Sequence, residues 1–238
     1  MALFGKLFSR NTLYYPGCLI KNVATDLNEN YKEILKKMGI EFLEIDEFVC
    51  CGSPVLNAGY KEDFEILKAK NLALLDIYGI RTIITPCPAC TKMLKKDYDL
   101  EKRGIRVRHV TEILADNLGK IKGSKEMLKN PQQVTYHDPC HLGRHCGIYN
   151  EPRKAIMKAG YQLYEFDKKG AEAECCGAGG GVKSNFPEIA NDVAKRRIKG
   201  CKTKLLTTAC PMCYLHLKEN AGDVKVVELS ELIKEAVQ

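Results

Sequence analysis

Ten cysteines fall into two matching sets of five, and this duplication constrains the chain more than any other feature. The first set is Cys18, the adjacent pair Cys50 and Cys51 followed by Gly52, and Cys87-Pro88-Ala89-Cys90. The second is Cys140, the pair Cys175 and Cys176 followed by Gly177, and Cys210-Pro211-Met212-Cys213. From single cysteine to pair the interval is 32 positions in the first set and 35 in the second; from pair to CxxC it is 36 and 34. A proline lies within two residues before Cys18 (YYPGC) and before Cys140 (HDPC). A double match of this kind signals a duplicated structural unit.

The hydrophobic pattern repeats with the cysteines. Short strands are predicted at Leu13–Tyr15 and Gln133–Tyr136, then helices over Asn22–Met38 and Pro152–Ala159, stopped by Gly39 and Gly160. Second strands follow at Glu41–Ile45 and Gln162–Phe166. A strongly amphipathic helix over Lys61–Tyr78 has its counterpart at Pro187–Lys199. Third strands at Arg81–Thr85 and Lys204–Thr208 are β-branched and apolar. Each runs into a CxxC whose proline starts a short helix in its preferred first-turn position. Fourth strands at Arg106–Val110 and Val224–Val227, with closing helices at Glu112–Leu118 and Ser230–Val237, complete each unit. Alternation of strand and helix predicts parallel sheets. The expectation is therefore an α/β chain built as a tandem pseudo-twofold repeat of two Rossmann-like, parallel-sheet domains. Its parts would be a tail over residues 1–12, a first domain over 13–119, a Lys/Gly/Ser-rich linker over 120–131 and a second domain over 132–238. Each cysteine group falls just beyond the carboxyl end of a strand, the edge where open α/β sheets bind ligands.

Composition narrows the setting. Hydrophobic residues make up 45% of 238 and charged residues 28%, enough for a buried core. Apolar runs reach only four or five residues, against about 20 needed to span a bilayer, so no transmembrane segment is predicted. Met1–Arg10 (MALFGKLFSR) is too short and too interrupted for a secretory signal. Twelve cysteines without an export signal point to a reducing, cytoplasmic setting, in which clustered thiols mean metal more often than crosslinks. The formal net charge is +7, yet no dense Lys/Arg run interleaved with aromatics suggests nucleic acid. A mildly basic surface suits an acidic redox partner.

A structural zinc ion takes four ligands in a tetrahedron, and a cubane iron–sulfur cluster also takes four thiolates. Each set here offers five. Side chains of adjacent cysteines diverge unless a turn redirects them, and Gly52 and Gly177 supply the freedom for one. A large or asymmetric cluster could use both thiols of the pair. Helices beginning at Pro88 and Pro211 would aim N–H groups at the resulting negative charge and tune its reduction potential.

The duplicated order of Cys, Cys-Cys-Gly and CxxC resembles the CCG-domain (cysteine-rich domain) proteins. That family includes the B-type component of heterodisulfide reductase and the C-terminal part of its D-type component. It also includes the B-type component of thiol:fumarate reductase and iron–sulfur components of glycolate, glycerol-3-phosphate and lactate oxidising systems. The likeness runs from Tyr14 to about Leu229, and YHDPCHLGRH and ECCGAGGG are similar to the D-type heterodisulfide reductase and glycolate branch. The resemblance implies two iron–sulfur clusters, [4Fe-4S] and noncubane in the heterodisulfide reductase branch. One would sit on Cys18, Cys50, Cys51, Cys87 and Cys90, the other on Cys140, Cys175, Cys176, Cys210 and Cys213. It also implies zinc as an alternative in the first repeat. Many larger members carry a CxxCxxCxxxCP ferredoxin run; this chain has none, and the 17 residues before Cys18 are too few for one. The expected role is a redox subunit that reduces a small disulfide, fed by a ferredoxin-like or flavoprotein subunit and peripheral to any membrane complex. The alternatives are an electron-transfer subunit of a 2-hydroxy-acid or glycerol-3-phosphate dehydrogenase, and a zinc-stabilised scaffold.

Around Cys140 lie His137, His141, Arg144 and His145. His141 and His145 are candidate proton donors, and Arg144 is a candidate for binding an anion. Hydrogen bonding that shapes the loop is the plainer role for the histidines, and Asp138 before a proline reads as a turn residue. Cys146 and Cys201 read as small buried hydrophobes. Gly177 and Gly179–Gly181 suit close backbone approach to a cluster rather than a phosphate loop. Met1–Phe8 places Leu3, Phe4, Leu7 and Phe8 on one face of a short helix suited to docking on a partner.

Overall fold

The computed structural model describes residues 11–238. The helix expected over Met1–Phe8 lies outside that range.

Among the described residues, seven strands form two parallel sheets. In the first, β1 (Thr12–Tyr14), β2 (Thr82–Thr85) and β3 (Arg106–His109) lie in the order β1-β2-β3. In the second, β4 (Gln133–His137), β5 (Gln162–Glu165), β6 (Leu205–Thr208) and β7 (Lys225–Glu228) lie in the order β5-β4-β6-β7. The predicted strand over Glu41–Ile45 shrinks to one bridge between Leu13 and Leu43. Tyr14 N–H donates to the Leu43 carbonyl at 3.0 Å, and Leu43 N–H to the Thr12 carbonyl at 2.7 Å. β1 has three residues where β4 has five, so the ladder on that edge has nowhere to extend. Counting that bridge as a rudimentary strand, the two sheets share one order.

The helix predicted over Asn22–Met38 forms over Thr25–Lys37, preceded by a separate short helix, Cys18–Asn22, that the pattern did not give. The Asn22 carboxamide donates to the Cys18 carbonyl at 2.9 Å and closes that short helix. Helices Lys61–Ile77 and Pro187–Lys199 stand where periodicity places them. The former has a thinner buried face than expected: Phe64, Asn71 and Leu75 are covered, while Ile66 and Ile77 remain exposed. No helix among the described residues is long and apolar enough to cross a membrane.

The halves pack reciprocally. Helix Thr25–Lys37 of the first packs on Leu229–Ile233 of the second, and Val110–Asp116 of the first packs on Asn150–Lys158 of the second. One core cluster runs through both halves and includes Tyr14, Ile34, Leu114, Ile156, Leu232 and Ile233. Within it, Tyr31 donates to the buried Glu228 carboxylate at 2.6 Å. The stretch expected as a linker holds a helix at Lys125–Lys129 and pairs Ile121 with Val237 near the C-terminus.

Candidate metal centres

Parallel strands deliver the cysteines to one sheet edge. Cys18 follows β1, Cys87 follows β2, Cys140 follows β4 and Cys210 follows β6. Cys87 and Cys210 take the position before a proline-led helix, at Pro88–Lys92 and Pro211–Glu219. The pairs arrive on loops that turn at Gly52 (φ +82°) and Gly177 (φ +94°). A left-handed residue after the pair redirects the chain, and a glycine reaches that conformation without a Cβ penalty. Gly17, at φ +79°, lets the segment before Cys18 lie against the CxxC, since a Cβ there would sit 2.9 Å from Cys90 Sγ.

In the first half the five sulfurs form a chain of contacts. Cys18 Sγ is 3.8 Å from Cys50 Sγ, and Cys51 Sγ is 3.5 Å from Cys90 Sγ. Cys50 also lies close enough to Cys51, and Cys90 to Cys87, for each pair to shift one another's acidity. In the second half the same order shifts acidity: Cys140 with Cys175, Cys175 with Cys176, Cys176 with Cys213, and Cys213 with Cys210. The backbone N–H of Gly52 donates to Cys50 Sγ at 3.4 Å, and that of Gly177 to Cys175 Sγ at 3.3 Å.

Acidity follows this wiring. Cys50 accepts from Cys18 and Cys51 and is pushed down to about 2, while Cys18 is pushed well up by donating to it. Cys175 is lowered by Cys140 and Cys176, and Cys140 is raised by Cys175. Cys176 is raised to about 12, chiefly by its bond to Cys175. Cys87 is lowered, first by Cys90 and then against the cost of burial by the N–H groups of Cys90 and Ala89. Five thiols so close cannot all ionise together unless positive charge arrives among them. An iron–sulfur core supplies that charge, and an asymmetric, noncubane one could use all five sulfurs, whereas a cubane or a tetrahedral zinc ion takes four. The donor sets therefore fit a cluster better than a single ion.

The remaining residues separate into useful and incidental. His141 Nδ1 lies 3.4 Å from Cys140 Sγ, and its ring lies tilted against that of His145 with centroids 4.8 Å apart. Burial, His145 and Lys92 hold His141 below the usual histidine range. Arg144 spends its guanidinium on the carbonyls of Ala171 and Ala173, at 3.3 and 2.7 Å, bracing the loop that leads to Cys175. Cys146 and Cys201 stand apart from both sets, packed at the margin of the core. Gly180 (φ +63°) and Gly181 (φ +78°) serve the turn that starts helix Val182–Asn185.

Sequence reasoning missed two arginines. Arg153, on helix Asn150–Lys158, grips both oxygens of Asp138 at 2.7 Å and both of Glu165 at 2.7 and 3.0 Å. Asp138 is thus a buried ion-pair partner that also accepts from Gly170 N–H, not merely a turn residue. Arg197, on helix Pro187–Lys199, is 3% exposed and donates to His137. Nothing in a surface-like KRRIK run marks its second arginine as buried. His137 faces Cys176 and Cys213 rather than Cys140.

A cleft of about 420 Å³ opens beside the first centre, lined by Tyr15, Gly17, Cys18, Lys21, Lys32 and Cys50 among others. In the second half, Tyr149 packs against Gly143 and Arg153 pairs with Asp138.

Two segments of the chain, residues 12–95 and 134–218, match the family described as the cysteine-rich domain. The chain belongs to that family. Both cysteine-rich domain copies contain one full set of five cysteines. The chain is 38% identical to the B-type component of fumarate reductase (CoM/CoB) of Methanothermobacter marburgensis, over 92% of this chain and 45% of that protein. It is 34% identical to the D-type component of dihydromethanophenazine:CoB–CoM heterodisulfide reductase of Methanosarcina acetivorans, over 94% and 57%. It is 33% identical to EtfAB:quinone oxidoreductase of Syntrophomonas wolfei, over 93% and 32%. The chain thus spans about half, or less, of the length of these relatives. These names bear out the resemblance to the D-type heterodisulfide reductase component and support an oxidoreductase role with iron–sulfur binding.

Proposed function

We propose that each cysteine-rich domain holds one iron–sulfur cluster of the [4Fe-4S] type. Cys18, Cys50, Cys51, Cys87 and Cys90 hold the first, and Cys140, Cys175, Cys176, Cys210 and Cys213 the second. The two domains, 13–119 and 132–238 around a 120–131 connection, are related by a pseudo-twofold axis, a reading supported by the reciprocal helix contacts. The observation that supports the assignment is that five cysteines in each half come together in the same order and shift one another's acidity.

The activity that fits best is reduction of a small organic disulfide in a reducing, cytoplasmic setting. Two electrons break the S–S bond and two protons complete the thiols. Electrons come from a ferredoxin-like or flavin-containing partner. When bound, the clusters supply one-electron storage and an iron site for sulfur. The protein supplies the rest. The cleft beside Cys18 and Cys50 admits the disulfide, and Lys21, Lys32 and Asn28 line it with polar contacts. His141 holds a proton near Cys140, and Arg144 braces the loop that carries Cys175. A relay role toward a quinone-reducing partner is favoured by the relative named EtfAB:quinone oxidoreductase.

Air-excluded purification with iron and sulfide analysis tests the cluster assignment; iron and sulfide in a ratio near one, with little zinc, is expected. Electron paramagnetic resonance of oxidised protein titrated with thiols tests the activity. A thiol-dependent signal supports disulfide chemistry, and its absence together with quinone-linked electron flow supports the relay.

A further inference from the structure

The two halves differ in what faces their innermost cysteines. In the second half that group is an imidazole. His137 is 1% exposed, and one of its ring nitrogens and the sulfurs of Cys176 and Cys213 lie within 4.8 Å of one another. Nε2 has no hydrogen-bond partner among the described residues. Nδ1 lies 3.1 Å from Nε of Arg197. A guanidinium donates and never accepts, so Nδ1 is the acceptor and the proton of the neutral ring sits on Nε2. Arg197 is itself buried, stacks 3.5 Å from the Phe166 ring centroid, gives Nη1 to the Lys168 carbonyl at 3.3 Å and leaves Nη2 unpartnered among the described residues.

The first half has neutral groups in these places. Tyr15 stands three residues before Cys18, as His137 does before Cys140. Its hydroxyl donates to the Val49 carbonyl at 2.7 Å. The buried polar residue of helix Lys61–Ile77 is Asn71, which bonds Val49, the Cys50 carbonyl and Tyr98.

We propose that His137, fixed by Arg197 as the Nε2–H tautomer, donates a hydrogen bond to the sulfurs of the second centre and makes it the higher-potential centre of the two. The inference rests on the iron–sulfur reading above. N–H···S bonds and buried positive charge both favour the more electron-rich state of a cluster, and burial leaves that charge poorly screened. His137 is a positioning residue in this scheme and not an iron ligand, because its free nitrogen carries the proton. An electron shared between the centres then rests on the second.

Anaerobic redox titration followed by electron paramagnetic resonance tests this, with C50S and C175S protein assigning each signal to its centre. The second centre is expected to titrate at the higher potential. H137F and R197L are expected to lower it at least tenfold in reduced-to-oxidised ratio, about 59 mV for one electron, and to leave the first centre in place. Iron present, with the second centre unmoved in both variants or lower than the first in unaltered protein, overturns the inference alone. Iron absent from unaltered protein overturns the reading beneath it. Should either variant fail to load, pulsed resonance of unaltered protein carrying ¹⁵N-histidine decides. A weak coupling through a hydrogen bond is expected, and the strong coupling of a directly bound nitrogen overturns the proposal.

Discussion

At Gly177 the backbone turns at φ +94°, and a Cβ there would lie 2.5 Å from the Ala190 carbonyl oxygen. Gly177→Ala combines a left-handed backbone penalty of about 1–2 kcal/mol with a clash against backbone that cannot swing aside. It is expected to lower the unfolding temperature and to halve iron content while sparing the first centre, measured by calorimetry and metal analysis. Cys176→Ser should halve iron with little effect on the first centre's resonance signal. A third residue controls pH dependence. Burial pushes the Glu228 carboxyl up to about 7, although Ser230 and Tyr31 donate to it. The folded state then binds a proton between pH 4.5 and 7 that the unfolded state releases, so stability from this group is fully present below the lower value and declines through that window. The loss amounts to on the order of 3 kcal/mol. Glu228→Gln is expected to remove this slope, read from denaturant midpoints across the window.

Elements decide how firmly the cysteine loops are held. Arg153 ties helix Asn150–Lys158 to Asp138 beyond β4 and to Glu165 at the end of β5. In the first half a plainer pair, Lys32 with Glu44, links the corresponding helix to the bridge segment. Arg153→Met leaves a carboxylate buried without its cation, which costs about 3–5 kcal/mol. Urea unfolding should show that loss, and a smaller one for Lys32→Met, whose carboxylate partner is half-exposed. Most elements were legible because their periodicity is local: proline and glycine mark their ends, and β-branched runs mark β2 and β6. The strand over Glu41–Ile45 failed because a strand needs a partner edge long enough to pair with. The helix expected over Asn22–Met38 forms over Thr25–Lys37, and its first turn is lost because Asn22 closes the preceding short helix.

For the whole molecule the decisive fact is a core that belongs to neither half. Ile233 from the second lies fully buried in a cluster with Ile34 and Leu114 from the first. Ile233→Ala is expected to cost about 2–5 kcal/mol and to lower one cooperative transition, not one of two, in circular dichroism melts. The sequence by itself determined the duplication, the α/β class and the ten cysteines that make up its two matching sets, because fixed spacing and short-range pattern carry that information. Only the tertiary structure decided what surrounds those donors. That Arg197 turns inward to His137, that Arg153 locks Asp138, and that a cleft opens beside the first centre all follow from packing between segments far apart in the chain. A charged residue in a helix looks the same to sequence whether it meets water or a buried partner. Which it meets is settled when distant faces close on one another and water is excluded.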